Sequence, residues 1–363
     1  MKKLKNVLKS FTLKTTKNSA MIYKEVSDAV VVPAINDFKG YGKFIHGVVD
    51  KDYGLSDDFL TITRGGVSLL KNNLRNEYLS EHCGSIEKIP GRYLYLGALP
   101  SHFGHLLAEG CHRMWGNASC IESFDGYVVL PDNENISKGQ IQILKYFKIN
   151  LEKIIYLKDV KEFETLILPQ PGSTIGQNFS VPGYDNALKQ STKFNELKTE
   201  GLPKKLFVSR RNFKSVGRVA GFDFLSVILK KNGFIEFLPE EHVLEVQLAH
   251  LIAADEIIWE EGSAIHLLDI LPKLESKMIL LRRRPDYGEF DQIVKRKCTD
   301  QYIYNEVKFI SSKKVPHNRM SRLTDIYSFF QFLREHGIKF EDTDFNALHR
   351  EEMLDINDDQ FVN

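Results

Sequence analysis

Between residues 93 and 281 the apolar positions come in short dense runs that alternate with amphipathic stretches. Runs at 93–99, 126–130, 153–157 and 163–168 have the length and density of buried strands, while 101–115 and 138–147 repeat apolar residues at helical spacing. Pro100 and Ser101 close the first run, as when a strand hands over to a helix with a serine N-cap. A polar stretch at 170–201, with Pro171-Gly172 and Pro182-Gly183, reads as an interdomain crossing. The rhythm then restarts, with strands expected at 206–209, 234–238, 256–259 and 278–281 and helices at 222–232, 242–254 and 264–271. This alternation predicts an α/β protein of two doubly wound domains facing across a cleft, with ligands bound beyond the carboxyl ends of parallel strands. The expected divisions are 1–185, 186–315 and 316–363, the last holding a docked helix at 321–336 and a frayed acidic tail at 341–363.

Within the helix expected at 101–115, an advance of about 100° per residue gathers His102, His105, Glu109, His112 and Arg113 within an arc of roughly 100°. Phe103, Leu107, Cys111 and Met114 form the opposite, oily face. Imidazoles, a carboxylate and a guanidinium that reach a common point suit chemistry better than they suit a solvated surface. His105 and Glu109 lie one turn apart, so one can act as general base while the other orients it. Spacing does not choose between them, although imidazole titrates nearer neutrality. The plainer alternative is a buried ion pair that fixes packing, and His112 reads as structural. A metal site made of His102, His105 and Glu109 is conceivable on spacing but is disfavoured by the arginines downstream.

At 363 residues the chain exceeds one typical core. Its hydrophobic and charged fractions, 42% and 27%, are those of a water-soluble globular protein, and a formal net charge of +1 argues against nucleic acid as a partner. No stretch reaches the ~20 apolar residues of a membrane span and no apolar signal core opens the chain, so a cytoplasmic location is expected. Lysines among Val7, Leu8, Phe11 and Leu13 would suit peripheral contact with an anionic membrane. Cys83, Cys111, Cys120 and Cys298 lack Cys-x-x-Cys spacing and read as reduced core thiols, with no zinc site among them.

Neither Gly-x-Gly-x-x-Gly after a strand nor the phosphate-loop motif occurs, which counts against dehydrogenases and nucleoside triphosphatases. Instead, Ser209, Arg210 and Arg211 leave a strand end, and Arg218 follows after a short loop. Guanidinium forks there suit a diphosphate and would do the work of a magnesium ion, the bland alternative being a solvated basic loop. At the next strand end stand Glu260, Glu261, Gly262, Ser263 and Ala264. The small residues open a helix start to an anion or sugar, and the carboxylates suit ribose or sugar hydroxyls. Alternatively, they are simply acidic residues favoured near a helix N-terminus. Arg282-Arg283-Arg284 falls at a third strand end.

Taken in order, the motifs are His102-x-Gly104-His105-Leu106-Leu107-x-Glu109 with Arg113-Met114-Trp115, then Lys-Lys-Leu-Phe-Val-Ser-Arg-Arg at 204–211, then Asn232-Gly233-Phe234, Pro239-Glu240, Gln247, Ala254 and Gly262-Ser263-Ala264. That series resembles glycosyltransferase family 61 over roughly residues 93–272. The resemblance implies a GT-B architecture of two Rossmann-like domains. It also implies inverting, metal-independent transfer, without a cofactor, from a nucleotide-sugar donor to a glycan or glycolipid acceptor in cell-surface (capsular) polysaccharide biosynthesis. It gives catalytic roles to His105 and Glu109 and an acceptor-side position to His102 and Arg113. Donor binding falls to Ser209, Arg210, Arg211, Arg218, Glu261, Gly262, Ser263 and Ala264. Many members of the family have His-Gly-Ala-Gly where this chain has residues 261–264, and Gly221-Phe222 replaces an Asn-Glu pair often seen after Arg218. The competing expectations are a non-catalytic nucleotide-binding scaffold and a GT-B nucleotide-sugar epimerase.

Overall fold

A computed structural model describes residues 13–15, 21–35, 45–48, 86–119, 123–173, 180–213, 216–310 and 319–361. Cys83, Cys120 and residues 1–12 of the basic N-terminus lie outside the described residues. The protein is mixed α/β with parallel strands in both of two compact units, Met1–Glu196 with Asp269–Pro272, and Leu197–Leu268 with Lys273–Asn363.

In the first unit the strands are β1 (Leu13–Thr15), β2 (Ile22–Ile35), β3 (Ile45–Val48), β4 (Glu87–Leu99), β5 (Gly126–Pro131), β6 (Ile154–Tyr156) and β7 (Lys161–Pro169). They form one sheet in the order β1-β2-β7-β4-β5-β6, with β3 on β2. The segment β7-β4-β5-β6 is parallel, as the alternation predicts. β2 joins β7 antiparallel, so the sheet is mixed rather than wholly parallel. Val26, Ala29, Val31, Tyr95, Val128, Phe163 and Leu166 form its core, and each large apolar side chain buried this way contributes about 1.5–3 kcal/mol.

Helix α1 (Lys138–Tyr146) starts at a capping box, in which Ser137 Oγ accepts from the Gln140 amide at 3.2 Å and Gln140 Oε1 accepts from the Ser137 amide at 2.7 Å. Gln140 Nε2 also donates to the Leu99 carbonyl at 2.7 Å, which ties the helix to the end of β4. The stretch read as a crossing contains a second helix, α2 (Tyr184–Ser191).

Residues 101–115 do not form the single α-helix expected from the sequence. A short α-turn at Phe103–His105 widens into a π-helical stretch at Leu106–Gly110, then residues 111–115 turn into another short helix at Gly116–Ser119. Gly110 lets this segment press on the end of β4, because a Cβ there would lie 2.9 Å from Pro100 Cδ and 3.1 Å from the Ala98 carbonyl oxygen.

The second unit holds β8 (Lys205–Val208), β9 (Ile235–Phe237), β10 (Glu256–Glu260), β11 (Leu274–Leu281) and β12 (Cys298–Tyr304), all parallel, in the order β12-β11-β10-β8-β9. The chain moves outward from β8 to β9, then crosses back to β10 on the other side of β8. The direction of winding therefore reverses between β8 and β10. Helices α3 (Phe222–Lys231), α4 (Leu244–Ala253) and α5 (Glu289–Lys297) make crossovers. Asn232 and Gly233, at φ 82°, end α3 as the sequence predicts. The helix expected at 264–271 is instead of 3₁₀ type, at Ser263–Ile270.

A hairpin of β13 (Val307–Phe309) and β14 (Ser321–Leu323) precedes α6 (Ile326–Glu335), so the helix expected from 321 begins five residues later, capped by the Asp325 carboxylate on the Tyr327 amide at 2.8 Å. The acidic tail, expected to fray, is helix α7 (Asp342–Phe361). Its acids have partners in the same unit: Asp344 pairs with Lys231 at 2.5 Å, Glu352 with Arg322 at 3.1 Å, and Asp355 accepts from the Gly221 amide at 2.8 Å. Gly221 has φ 83°, and a Cβ there would meet the Leu348 carbonyl oxygen and the Glu352 amide nitrogen, each at 3.1 Å. Gly221→Ala is therefore expected to destabilise the protein by about 1–3 kcal/mol, read as a lower urea midpoint at unchanged slope. An unchanged midpoint would show that α7 yields without cost.

Candidate functional site

In the first unit the candidate chemistry gathers where β4 and β5 end. The Asp132 carboxylate accepts from the Ser101 amide at 2.9 and 3.0 Å and from Ser101 Oγ at 3.0 Å, which fixes the start of the following turn. His102 Nδ1 accepts from the His105 amide at 3.4 Å, and the two imidazoles meet edge to face with centroids 5.0 Å apart.

His105 Nδ1 lies 2.6 Å from Glu109 Oε1 across the π-turn. The Glu109 side chain is 6% exposed and that of His105 is 36% exposed, so a buried carboxylate holds an imidazole that reaches solvent. With Nδ1–H donating to Glu109, Nε2 is the atom left to take a proton. Wider π-helical turns recur at functional sites, and this one keeps the i,i+4 pair together.

The other two residues of the expected polar face, His112 and Arg113, turn to other partners. His112 is buried, with Nδ1 2.8 Å from the Tyr184 hydroxyl. Arg113 is buried too, donating to the Pro169 carbonyl with its guanidinium over the Tyr95 ring, and burial lowers its pKa to about 10. A uniform 100° step rotates these residues onto one arc, but the π-turn breaks that phase. Cys111 and Cys298 are buried free thiols whose pKa values burial pushes up, Cys298 to about 12, leaving both inert.

In the second unit a cluster of arginines and carboxylates lies at the carboxyl ends of β8, β10 and β11. Register pairs Val208 with Trp259 and Glu260 with Leu281, so Ser209 follows beside Glu260 and Arg282 follows one position further on, level with Glu261. Glu260 is buried and accepts from the amides of Arg210 at 2.9 Å and Val219 at 3.5 Å. Burial raises its pKa against the opposing pull of Arg218 and Arg210. Glu261, wholly buried, accepts from the amides of Arg283 at 3.0 Å and Arg284 at 3.2 Å and from Arg284 Nε. Both carboxylates thus face inward and hold the loops that carry the arginines, where the sequence suggested ribose or sugar hydroxyls.

Arg210 donates from Nη2 to the Gly217 carbonyl at 3.2 Å and rests 4.8 Å from the Phe213 ring centroid, while its Nε is buried without a hydrogen-bond partner among the described residues. Burial lowers its pKa, Glu260 and Glu261 oppose that, and the like charge of Arg284 adds to it. Gly262 makes room for this side chain, since a Cβ there would lie 2.2 Å from Arg210 Nη1. Gly262→Ala should therefore leave the fold intact but push the guanidinium aside.

Ser209 is buried, and its Oγ accepts from the Arg211 amide at 3.1 Å. Arg211 meets Ser226 Oγ at 2.6 Å, Glu236 at 2.9 Å and Asp223 at 3.5 Å. Arg218, 1% exposed, pairs with Asp223 at 3.0 Å and Asp355 at 3.7 Å. Burial works against its charge, but Glu260, Asp223 and Asp355 outweigh it and the net shift is upward. Ser263 is exposed and Ala264 half-buried at the start of the 3₁₀ stretch. Arg283 and Arg284, both buried, are the members of this cluster to which sequence reasoning gave no role; the signal was three arginines immediately after an apolar strand.

Among the described residues no group of three or more His, Cys, Asp or Glu is placed to hold a metal ion, and no helix is long and apolar enough to cross a membrane. No protein-family model and no curated protein matches this chain.

Proposed function

We propose that the chain is a nucleotide-sugar-dependent glycosyltransferase of GT-B type, inverting and metal-independent, acting on a glycan or glycolipid acceptor in cell-surface polysaccharide assembly. The observation that carries the proposal is the arginine cluster at the reversal between β8 and β10, centred on Arg210. In open parallel sheets ligands bind outside the carboxyl ends of the strands at this kind of switch point, and a diphosphate needs the directed positive charge that guanidinium forks supply. The resemblance to glycosyltransferase family 61 supplies the donor and acceptor classes.

The reaction is a single displacement. An acceptor hydroxyl oxygen attacks the anomeric carbon, the bond from that carbon to the diphosphate oxygen breaks with its electron pair leaving on the diphosphate, and the hydroxyl proton passes to His105. Glu109 orients the imidazole and stabilises its charged form, as the carboxylate does in nucleophile–base–acid triads. Arg210 meets the charge that develops on the leaving group. Product analysis tests the proposal: the donor should be consumed only when acceptor is present, with inversion at the anomeric carbon. Conversion of the donor alone would make the protein an epimerase, and no turnover with any donor and acceptor pair would make it a binding scaffold.

A further inference from the structure

We propose that the carboxyl end of β9 is a nucleobase subsite, with the exposed His242 imidazole as the platform on which the base of a nucleoside diphosphate stacks; this rests on the nucleotide-sugar reading above. Three rings lie nearly parallel there. Phe237, the last residue of β9, stacks on His242 with centroids 4.7 Å apart and planes 4° apart. It also stacks on His250 of α4, with centroids 4.6 Å apart and planes 23° apart. Phe237 is buried, His250 half-buried and His242 exposed, so His242 carries the aromatic surface out to solvent. His250 Nδ1 meets the Val246 carbonyl oxygen at 2.8 Å, whereas the His242 imidazole has ring contacts and no hydrogen bond among the described residues.

The loop that carries His242 is held in place. The buried Gln247 donates from Nε2 to the His242 carbonyl oxygen at 2.8 Å, and the His242 amide donates to the Pro239 carbonyl oxygen at 3.1 Å. Gln247 belongs to the motif series read from the sequence, and this contact makes it a positioning residue. The same loop is joined to the one that leaves β8, because Asn212 Nδ2 donates to Glu241 Oε1 at 3.0 Å. Register sets Val208 level with Phe237, and the Ser209 amide donates to the Phe237 carbonyl oxygen at 3.0 Å. The ring stack therefore stands beside the strand end from which Arg210 emerges, at the ligand-binding edge of the sheet. On the other face of β9, Glu236 turns to Arg211, so the stack is separate from that ion pair. A nucleoside diphosphate whose phosphates meet Arg210 carries its base one ribose further on. Every base offers a flat π-face, and a ring already held in place loses little freedom when a base settles on it.

The test is calorimetric titration of the full-length protein with uridine, cytidine and guanosine diphosphates and with inorganic pyrophosphate, which has no base. In His242→Ala, affinity for the nucleoside diphosphate that binds should fall at least about fivefold, the lower end of what losing one base–aromatic stack costs, while pyrophosphate affinity stays unchanged. His242→Phe keeps the platform and should restore nucleotide affinity. Thermal unfolding without ligand checks that each variant folds. If nucleotide affinity survives in His242→Ala but collapses in Arg210→Ala, the base subsite is overturned and the diphosphate site stands. An equal loss for pyrophosphate and nucleotide in His242→Ala also overturns it, because His242 would then act on the loop and not on the base. So does failure of His242→Phe to restore binding, which would mean that the imidazole makes a polar contact. Should the wild-type protein bind none of these diphosphates, the nucleotide-sugar reading itself falls.

Discussion

Arg210→Ala is expected to remove nucleoside diphosphate binding while leaving the fold in place. The side chain is deeply set against Gly262 and Phe213, and its Nε lacks a partner among the described residues. Its main-chain amide, which Glu260 holds, remains in the alanine variant. Truncating one member of a buried charge-assisted contact costs about 2–5 kcal/mol, or at least ~30-fold in affinity. Because Arg283 and Arg284 repel Arg210, the unliganded variant should unfold at a temperature near that of the wild type. Arg210→Lys should fall between, since it restores the charge without the fork. Calorimetric titration with uridine, cytidine and guanosine diphosphates reads all three proteins. Undiminished affinity in Arg210→Ala would take the diphosphate away from β8 and β10.

Glu109→Gln is expected to cut turnover by about two to four orders of magnitude with nucleotide affinity unchanged. The amide is isosteric and can still meet His105 Nδ1, but it cannot stabilise the imidazolium that forms when His105 takes a proton. The pair's arrangement, a buried carboxylate 2.6 Å from a half-exposed imidazole, suits that division of labour. A purely structural pair would behave differently: Glu109→Gln would lower the unfolding temperature and leave turnover per folded molecule intact. Turnover and unfolding measured on the same preparations therefore separate the two roles.

Strands and most helices of this protein are legible because their signals are local. The dense apolar runs became β4, β5, β7, β8, β10 and β11, the helical spacing at 138–147 became α1, and Gly233 marked the end of α3. What escaped is set by contacts distant in sequence. The helical wheel drawn over 101–115 assumes a constant step, and the π-turn at Leu106–Gly110 sends His112 to Tyr184 and Arg113 to Pro169. The tail looked too acidic to fold alone, and α7 is held by Lys231, Arg322 and the Gly221 amide, from 30 to 134 residues away. The role of Glu260 and Glu261 was hidden for a similar reason: two adjacent carboxylates read as open to ligand hydroxyls until the amides of Arg210, Val219, Arg283 and Arg284 are seen to fill them. The position of Arg210 just past a parallel strand, by contrast, was legible, because the apolar run that precedes it became β8.

The central claim is that the second unit binds a nucleoside diphosphate through arginines at the turn between β10 and the 3₁₀ stretch. Thermal unfolding of the whole protein against nucleoside diphosphates and nucleotide sugars, with and without chelator, tests it most directly. A ligand at 100 times its dissociation constant adds about 2.7 kcal/mol of stability. The account predicts a clear upward shift with one base class that survives chelation and disappears in Arg210→Ala. No shift with any nucleotide, or a shift of equal size in Arg210→Ala, would contradict it.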